Sequence, residues 1–163
     1  MQNETWTFRA AGQADIPELC RLRMAYLTED LGKMSEQVSA EILSQLPDYF
    51  AAHLGHDCFV NAAALPGGSL AANVILYCME KPANPSFPSG RSGTVLGVYT
   101  MPQYRGQGIA TKLMQMLIAD AKAQKLDRIT LGATEMGRPV YKKLGFVRAH
   151  SAYTDMVLSL REK

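Results

Sequence analysis

The sequence predicts an α/β (α+β) protein with a mixed, mostly antiparallel sheet and helices on both of its faces. At 163 residues the chain is large enough to form one domain, residues 1–163, with a substantial hydrophobic core. Apolar residues make up 47% and charged residues 20% of the chain, which is typical of a globular protein. Strand and helix patterns follow the order β-α-α-β-β-β-α-β-α-β, which differs from the strict alternation of a parallel-sheet protein.

The N-terminal region begins with a strand and then a helix. Residues 6–10 alternate between apolar and polar and predict the strand. Asp15 and Pro17 form a favourable helix start, with a capping residue followed by a proline in the first turn. The apolar stripe that follows continues to about Asp30, and Gly32 ends the helix.

A second helix is predicted to begin at Ser35 or Ser39, since either serine is a suitable cap. Its apolar spacing continues to Leu54. Pro47 lies within this span and predicts a kink or a break, because proline cannot donate the helical hydrogen bond.

A hairpin and a long loop follow. Residues 58–64 and 70–79 predict two strands, joined by a Pro-Gly-Gly-Ser turn over residues 66–69. Residues 82–93 contain three prolines, two glycines and three serines and therefore predict a loop.

The C-terminal half alternates between strands and helices. Residues 95–101 predict a strand, residues 109–124 a helix, residues 128–133 a strand and residues 135–144 a short helix. Residues 147–160 are expected to be mostly extended.

Composition excludes several classes of partner. The net charge is +2, with 17 Lys and Arg against 15 Asp and Glu, so nothing indicates the concentrated basic face of a nucleic-acid-binding protein. No apolar run approaches the roughly 20 residues needed to span a bilayer, so no membrane partner is expected. The first residues lack the basic-then-apolar pattern of a signal peptide, and a cytoplasmic location is expected.

The reactive residue types show no pattern of metal binding or nucleophilic catalysis. Cys20, Cys58 and Cys78 have no Cys-x-x-Cys spacing, and their odd number argues against a disulfide framework, so we expect three buried thiols. No cluster of His, Cys and Asp has metal-ligand spacing, so no metal is expected. No Ser-His-Asp or Cys-His set is apparent, which favours direct attack by a substrate over an acyl-enzyme.

The most informative segment joins the 95–101 strand to the 109–124 helix through Arg105-Gly106-Gln107-Gly108. Glycines let backbone N–H groups approach a ligand closely, and the first N–H groups of a helix lie at the positive end of its dipole. This combination predicts a phosphate or pyrophosphate site. The segment is not a P-loop, because no Gly-Lys-Ser/Thr follows, and it lacks the third glycine of the dinucleotide fingerprint.

Two segments resemble signatures of the GNAT-type N-acetyltransferase superfamily. Arg105-x-x-Gly108-x-Ala110, preceded by a strand and x-Pro, resembles its acetyl-CoA pyrophosphate loop. Tyr-Lys-Lys-Leu-Gly-Phe at residues 141–146 resembles its second signature, which follows a later strand. The resemblance covers about residues 57–160.

This resemblance implies a single-domain GNAT-like fold that uses acetyl-CoA as cosubstrate. The parallel strands 95–101 and 128–133 would splay apart and leave a V-shaped slot for the pantetheine arm. The main chain of residues 98–100 would bind the pantetheine amides and the acetyl carbonyl, and the amides of residues 105–110 would bind the pyrophosphate. The residues expected to bind acetyl-CoA are Val98, Tyr99, Thr100, Arg105, Gly106, Gln107, Gly108, Ile109, Ala110 and Thr134, of which Thr134 is also expected to cap the short helix.

Tyr141 is the predicted catalytic residue, because it matches the tyrosine that lies near the CoA sulfur in the superfamily. With ordinary pKa values near 10 for tyrosine and about 8.5 for a thiol, complete proton transfer to the thiolate is uphill by roughly 2 kcal/mol. Tyr141 therefore either has a lowered pKa or mainly stabilises the leaving sulfur by a hydrogen bond.

The sequence departs from the superfamily pattern in two places. The strand over residues 95–101 lacks the acid that often serves as general base, so a water relay or a residue of the first helices must substitute. Thr134 and Gly137 replace the usual Asn and Ala, and the adjacent Arg138 is equally suited to a CoA phosphate or to the surface. The candidate bases are Tyr26, Glu29, Asp30, His53 and His56.

The acceptor has no recognisable signature. A small-molecule amine is the first expectation, held by the first two helices, the 82–93 loop and the C-terminal strands. A protein N-terminus or lysine is the alternative within the enzyme class, and the absence of an acidic cluster weakly favours a small acceptor. A non-catalytic acyl-CoA-binding module and a nucleotide-binding regulatory domain are the alternatives outside it. Edge strands at the C-terminus are compatible with a homodimer.

Overall fold

The computed structural model describes residues 5–161, and the predicted features of the first residues lie outside that range. Its strands are β1 (Thr7–Ala10), β2 (Cys58–Ala64), β3 (Leu70–Glu80), β4 (Arg91–Thr100) and β5 (Arg128–Thr130). Its helices are α1 (Ile16–Leu31), α2 (Glu36–His53), α3 (Ile109–Ala123) and α4 (Arg138–Lys143). Short 3-10 turns occur at Gln13–Asp15 and Pro102–Tyr104.

The five strands form one sheet in the order β1-β2-β3-β4-β5. The first four strands pair antiparallel, and β5 pairs parallel to β4. This confirms the predicted mixed, mostly antiparallel sheet. A right-handed crossover through α3 is the usual way to connect two such parallel strands.

Helices cover both faces of the sheet, as predicted. Neighbouring residues of a strand point to opposite faces of the sheet, so adjacent residues of β2 contact different helices. Ala62 belongs to the core that α1 and α2 form with the sheet. Asn61 is buried on the other face, where its Nδ2 donates to Asp120 Oδ2 of α3 at 2.6 Å.

The start of α1 lies where the sequence predicts it, but Asp15 does not cap the helix through its side chain. Its carboxylate accepts hydrogen bonds from Arg9 Nη1 and Nη2 at 2.7 and 2.8 Å, and from the Gly12 N–H at 2.8 Å. Since Arg9 lies on β1, this bidentate pair ties the first strand to the start of the first helix. Gly32 ends α1 with a positive φ of 79°, as expected.

The second helix begins after Ser35, whose Oγ accepts from the Val38 N–H at 3.2 Å. Pro47 lies inside α2, and the helix is continuous across it. The prediction of a break is therefore wrong. Leu46 and Phe50, on either side of the proline, are both buried in the core, and this packing stabilises the helix despite the lost hydrogen bond.

The fourth strand begins at Arg91, so the predicted loop is too long and the predicted strand starts too late. Ser92 and Gly93 are buried within the sheet. A Cβ on Gly93 would lie 2.8 Å from Leu126, 2.9 Å from Leu76 and 3.2 Å from Ile129. Gly93 therefore lies at a closely packed point inside a strand, whereas the proline, glycine and serine content of residues 82–93 predicted a loop.

The chain divides into two compact units between Gly132 and Ala133. The first contains the sheet and its three long helices, and the second contains α4. Both β5 and α4 are shorter than predicted, because residues 131–134 have no regular structure and residues 135–137 form a turn. Residues 147–160 form no strand, and their large apolar side chains are exposed.

The three cysteines are free and buried, as predicted. Burial raises the pKa of Cys58 to about 11, which makes its thiol unreactive. None of the helices within residues 5–161 is long and apolar enough to cross a bilayer.

Candidate acetyl-CoA site

The central feature of the candidate site is the point where β4 separates from β5. The parallel pairing joins only Ser92, Gly93 and Thr94 to β5. On the other side of β4, Ile75 pairs with Gly97 and Leu76 pairs with Val95, so Leu96 is an extra, bulged residue. A bulge bends its strand and increases the local twist. The bend therefore falls just after the last residue that pairs with β5.

Beyond the bulge, one edge of β4 has no strand beside it in the described part of the chain. Thr100 is opposite Ala72 and Val98 is opposite Val74, while the Met101 N–H donates to the Ala71 carbonyl at 2.9 Å. In an antiparallel ladder alternate residues direct their main-chain groups to the partner strand and away from it. The polar groups of Val98 and Thr100 thus face the open edge, and those of Tyr99 face β3. Of the three residues predicted to bind the pantetheine arm through their main chain, Val98 and Thr100 are thus the two whose main-chain groups face the open edge.

The open edge leads into the predicted glycine loop. After the turn at Pro102–Tyr104, Gly106 and Gly108 have φ values of 75° and 77°, which an L side chain adopts only at a cost. A Cβ at either glycine would meet no atom within 4 Å, so the backbone is accessible to a ligand. Gly108 precedes α3, and no side chain caps that helix.

Residues 107–110 form the start of α3, where the main-chain amides are the groups predicted to bind a ligand. Ile109 is buried, so its side chain anchors the first turn of α3 in the core. The first N–H groups of a helix point outward along its axis, which makes this turn suitable for an anion. Gln107 and Ala110 flank the same turn, and their amides belong to the predicted set.

The Arg105 side chain binds protein groups. Its Nε donates to the Thr100 carbonyl at 2.9 Å and its Nη2 donates to Glu29 Oε2 at 2.8 Å. Its guanidinium also lies over the Tyr99 ring, 5.7 Å from the centroid. The loop is therefore fastened to the end of β4 and to α1. Two of the three guanidinium nitrogens of Arg105 are thus engaged by protein groups, so its predicted role in binding the pyrophosphate rests on its main-chain amide.

The structure distributes the candidate general bases over different regions. The hydrogen bond from Arg105 holds the pKa of Glu29 below its usual range, which weakens Glu29 as a base. His53 Nδ1 lies 2.8 Å from Asp57 Oδ1, and the His53 ring stacks on Tyr49. The Tyr26 ring packs edge-on against Tyr99 of β4, with the ring centroids 6.3 Å apart.

Arg23 is a residue of this site that the sequence analysis did not identify. It lies on α1, and its Nη1 donates to the carbonyl of the bulged Leu96 at 2.9 Å. Its guanidinium also lies over the Tyr26 ring, 5.3 Å from the centroid. Its position in the sequence could have identified it, because Arg23 follows the buried Leu22 within the apolar stripe of α1, where a charged group is unusual.

The second unit contains the remaining predicted site residues, Thr134 and Tyr141. Thr134 Oγ1 accepts from the Gly137 N–H at 3.1 Å and so fixes the turn before α4. The N-cap of α4 is Gly137 and no side chain caps the helix, so the predicted cap at Thr134 is wrong. The helix ends in a Schellman motif: the Phe146 N–H donates to the Tyr141 carbonyl, and Gly145 has a φ of 95°. This confirms the predicted left-handed end at Gly145.

The Tyr141 ring is fixed at both ends of this short helix. It packs edge-on against Phe146, with the ring centroids 5.9 Å apart. At the other end it lies against Gly137, where a Cβ would come within 2.9 Å of Tyr141 Cε2. The absence of a side chain at Gly137 thus permits the observed position of the ring.

The first unit therefore combines a helix start whose first N–H groups have no side-chain cap with a strand edge that offers peptide groups. This arrangement suits an extended ligand with a phosphate at one end and amides along its length. The model of the GNAT acetyltransferase family matches residues 20–146, well over half of the chain. The chain belongs to the GNAT family of acetyltransferases.

Solved structures agree with this assignment. A predicted acetyltransferase of Clostridium acetobutylicum, solved with acetyl-CoA, is 25% identical and superposes with a TM-score of 0.79 over 94% of this chain and 96% of its own. A GCN5-related N-acetyltransferase of Ralstonia eutropha is also 25% identical, with a TM-score of 0.77 over 93% and 99% of the two chains.

A more distant structure shares the fold. Glucosamine-6-phosphate N-acetyltransferase of Arabidopsis thaliana is 17% identical, with a TM-score of 0.70 over 94% of this chain and 99% of its own. No curated protein sequence matched the chain.

Proposed function

We propose that this protein transfers the acetyl group of acetyl-CoA to the amine of a small-molecule acceptor, by direct attack within a ternary complex. The observation that supports this most strongly is the open edge of β4, which runs from the bulge at Leu96 into the glycine loop before α3. The pyrophosphate would bind the amides of residues 105–110. The pantetheine arm would bind the main chain of Val98 and Thr100.

The length of the open edge sets the position of the thioester. From Thr100 back to Leu96 the strand advances about 13 Å, at about 3.3 Å per residue. The pantetheine arm would run back along this edge from the glycine loop. The acetyl group would therefore lie beside the bulge, where α1 contributes Arg23 and Tyr26.

The reaction forms a C–N bond between the amine and the acetyl carbon and breaks the C–S bond of the thioester. The attacking amine must be deprotonated, and we assign this step to a water relay, since Glu29 is weakened as a base by Arg105. The leaving thiolate needs a proton or a hydrogen bond, and Tyr141 is the proposed donor. The negative charge that develops on the carbonyl oxygen would be stabilised by a main-chain N–H of β4.

The test is release of free thiol from acetyl-CoA in the presence of amines. The panel contains amino acids, polyamines, aminoglycosides, amino sugars and peptides with free N-termini. Release with small amines supports the proposal, while release with peptides alone supports a protein acetyltransferase. Tight acetyl-CoA binding without release for any amine supports a non-catalytic module.

Tyr141→Phe tests the proposed proton donor. We expect turnover to fall by about a hundredfold, because general acid catalysis contributes at least that much. The dissociation constant of acetyl-CoA should stay unchanged, because the lost hydroxyl acts on the leaving sulfur. Unchanged turnover would assign protonation of the thiolate to another group.

A further inference from the structure

Arg23 differs in its ionic environment from four other arginines of the first unit. Arg9, Arg21, Arg91 and Arg105 each form an ion pair with a carboxylate at 2.7 to 2.8 Å. Arg23 forms no ion pair within residues 5–161, although its side chain is partly buried. A partly buried charge without a counter-ion is costly, and binding an anion offsets that cost.

A glycine lets the Arg23 guanidinium lie close to the backbone of β4. Gly97 follows the bulge, and a Cβ there would lie 3.3 Å from Arg23 Nη1. Arg23 uses Nη1 for the Leu96 carbonyl, and no hydrogen bond within the described residues engages its Nη2 or Nε. A guanidinium presents its donors in a planar fork, so the remaining N–H groups can bind a carboxylate.

We propose that Arg23 binds the carboxylate of the acceptor, so that the substrates are amino acids or related amines with a carboxylate a few bonds from the nitrogen. This rests on the proposed function, because the thioester would lie beside the same bulge. A single guanidinium balances one negative charge, which favours a carboxylate over a dianionic phosphate. The Tyr26 ring beside Arg23 would form one wall of this acceptor site.

The experiment compares amino acids with amines that differ only by the carboxylate. The pairs are phenylalanine with phenethylamine, tyrosine with tyramine, histidine with histamine and tryptophan with tryptamine. Glucosamine 6-phosphate and glucosamine form a phosphate pair. Thiol release gives kcat/KM for each in the wild type, Arg23→Gln, Arg23→Lys and the control Arg21→Gln, which alters an exposed arginine on the same helix.

We expect the wild type to prefer at least one amino acid over its decarboxylated partner by about tenfold to a hundredfold, the usual range for a charge-assisted hydrogen-bond pair. Arg23→Gln should remove this preference, Arg23→Lys should keep part of it, and Arg21→Gln should keep it all. Equal use of both members of each pair, a preference that survives in Arg23→Gln, or selectivity for the phosphate pair alone would overturn the inference.

A binding measurement separates this inference from the proposed function. Calorimetric titration of the four amino acids and four amines into the CoA complex requires no turnover. If thiol release fails for every amine, the proposed function fails. Carboxylate-dependent binding that Arg23→Gln abolishes would still support the Arg23 site, and no carboxylate-dependent binding would overturn it.

Discussion

The Tyr141 ring lies against Gly137, so the position of its phenol depends on the absence of a side chain at residue 137. In Gly137→Ala the new methyl would come within 2.9 Å of the ring and would displace it. We expect turnover to fall by about tenfold or more, because small misplacements of a reacting group are costly. Steady-state kinetics with the best acceptor measures this loss, and acetyl-CoA affinity should stay unchanged.

A double-mutant cycle tests whether Gly137→Ala lowers turnover through the Tyr141 hydroxyl. If Gly137 acts through the Tyr141 hydroxyl, adding Gly137→Ala to Tyr141→Phe should cause little further loss of turnover. A full additional loss would mean that Gly137 acts elsewhere in the second unit.

The Arg9–Asp15 pair predicts a pH-dependent contribution to stability. The hydrogen bonds from Arg9 hold the pKa of Asp15 below its ordinary value, so the stabilisation is present above the ordinary pKa, about 4. It is lost as the pH falls through the lowered value of the folded state. Asp15→Asn should reduce the free energy of unfolding by about 1–2 kcal/mol at pH 7, a value discounted because Arg9 is partly exposed.

Urea unfolding from pH 7 to pH 2 tests this. The difference between the wild type and Asp15→Asn should shrink as the solution becomes acidic. Asp48→Asn, on an exposed position of α2, is the control and should stay close to the wild type throughout. A difference that is constant with pH would show that the charge of Asp15 is not its cause.

Individual residues differ in how well the sequence predicts them. Arg105, Gly106 and Gly108 lie in a local strand–loop–helix pattern, so their position was predictable. The bond from Arg105 to Glu29 and the bond from Arg23 to Leu96 each join residues more than seventy positions apart. No local pattern specifies such contacts, since they depend on how α1 lies across the sheet.

At the scale of elements, the glycine loop depends on a left-handed residue at the start of α3. Gly108→Ala should weaken acetyl-CoA binding by about tenfold, because the strained backbone would turn its amides away from the pyrophosphate. Isothermal titration measures the change.

Gly55→Ala is the matched control for this substitution. Gly55 has a φ of 83°, and a Cβ there would also meet no atom within 4 Å. Both variants should lose about 1–2 kcal/mol of stability, and only Gly108→Ala should lose affinity. Equal affinities in the two variants would exclude the loop from acetyl-CoA binding.

The elements themselves were predictable where a local pattern and tertiary packing agree. The boundaries of α1 and α3 follow their apolar stripes and the adjacent glycines, Gly32 and Gly108. The start of β4 was not predictable, because Gly93 is required by Leu76, Leu126 and Ile129, which come from other elements. The continuity of α2 through Pro47 depends likewise on burial, which the local sequence does not contain.

At the scale of the whole molecule, acetyl-CoA should stabilise the fold by mass action. A ligand at a hundred times its dissociation constant adds about 2.7 kcal/mol, and this raises the Tm of a protein of this size by about 5–10 °C. Thermal unfolding with acetyl-CoA, ATP and NAD tests the class of ligand. Equal stabilisation by ATP or NAD would favour a nucleotide-binding regulatory domain over an acetyltransferase.

The one-sided pairing of β4 also has a consequence for hydrogen exchange. Amides that are bonded to a neighbouring strand exchange slowly, whereas those facing an open edge exchange quickly. The Tyr99 amide, which faces β3, should therefore be protected, while the amides of its neighbours Val98 and Thr100 should exchange rapidly although both residues belong to the same strand. Bound acetyl-CoA would slow exchange of the Val98 and Thr100 amides, so the exchange rates of these two residues would measure occupancy of the site.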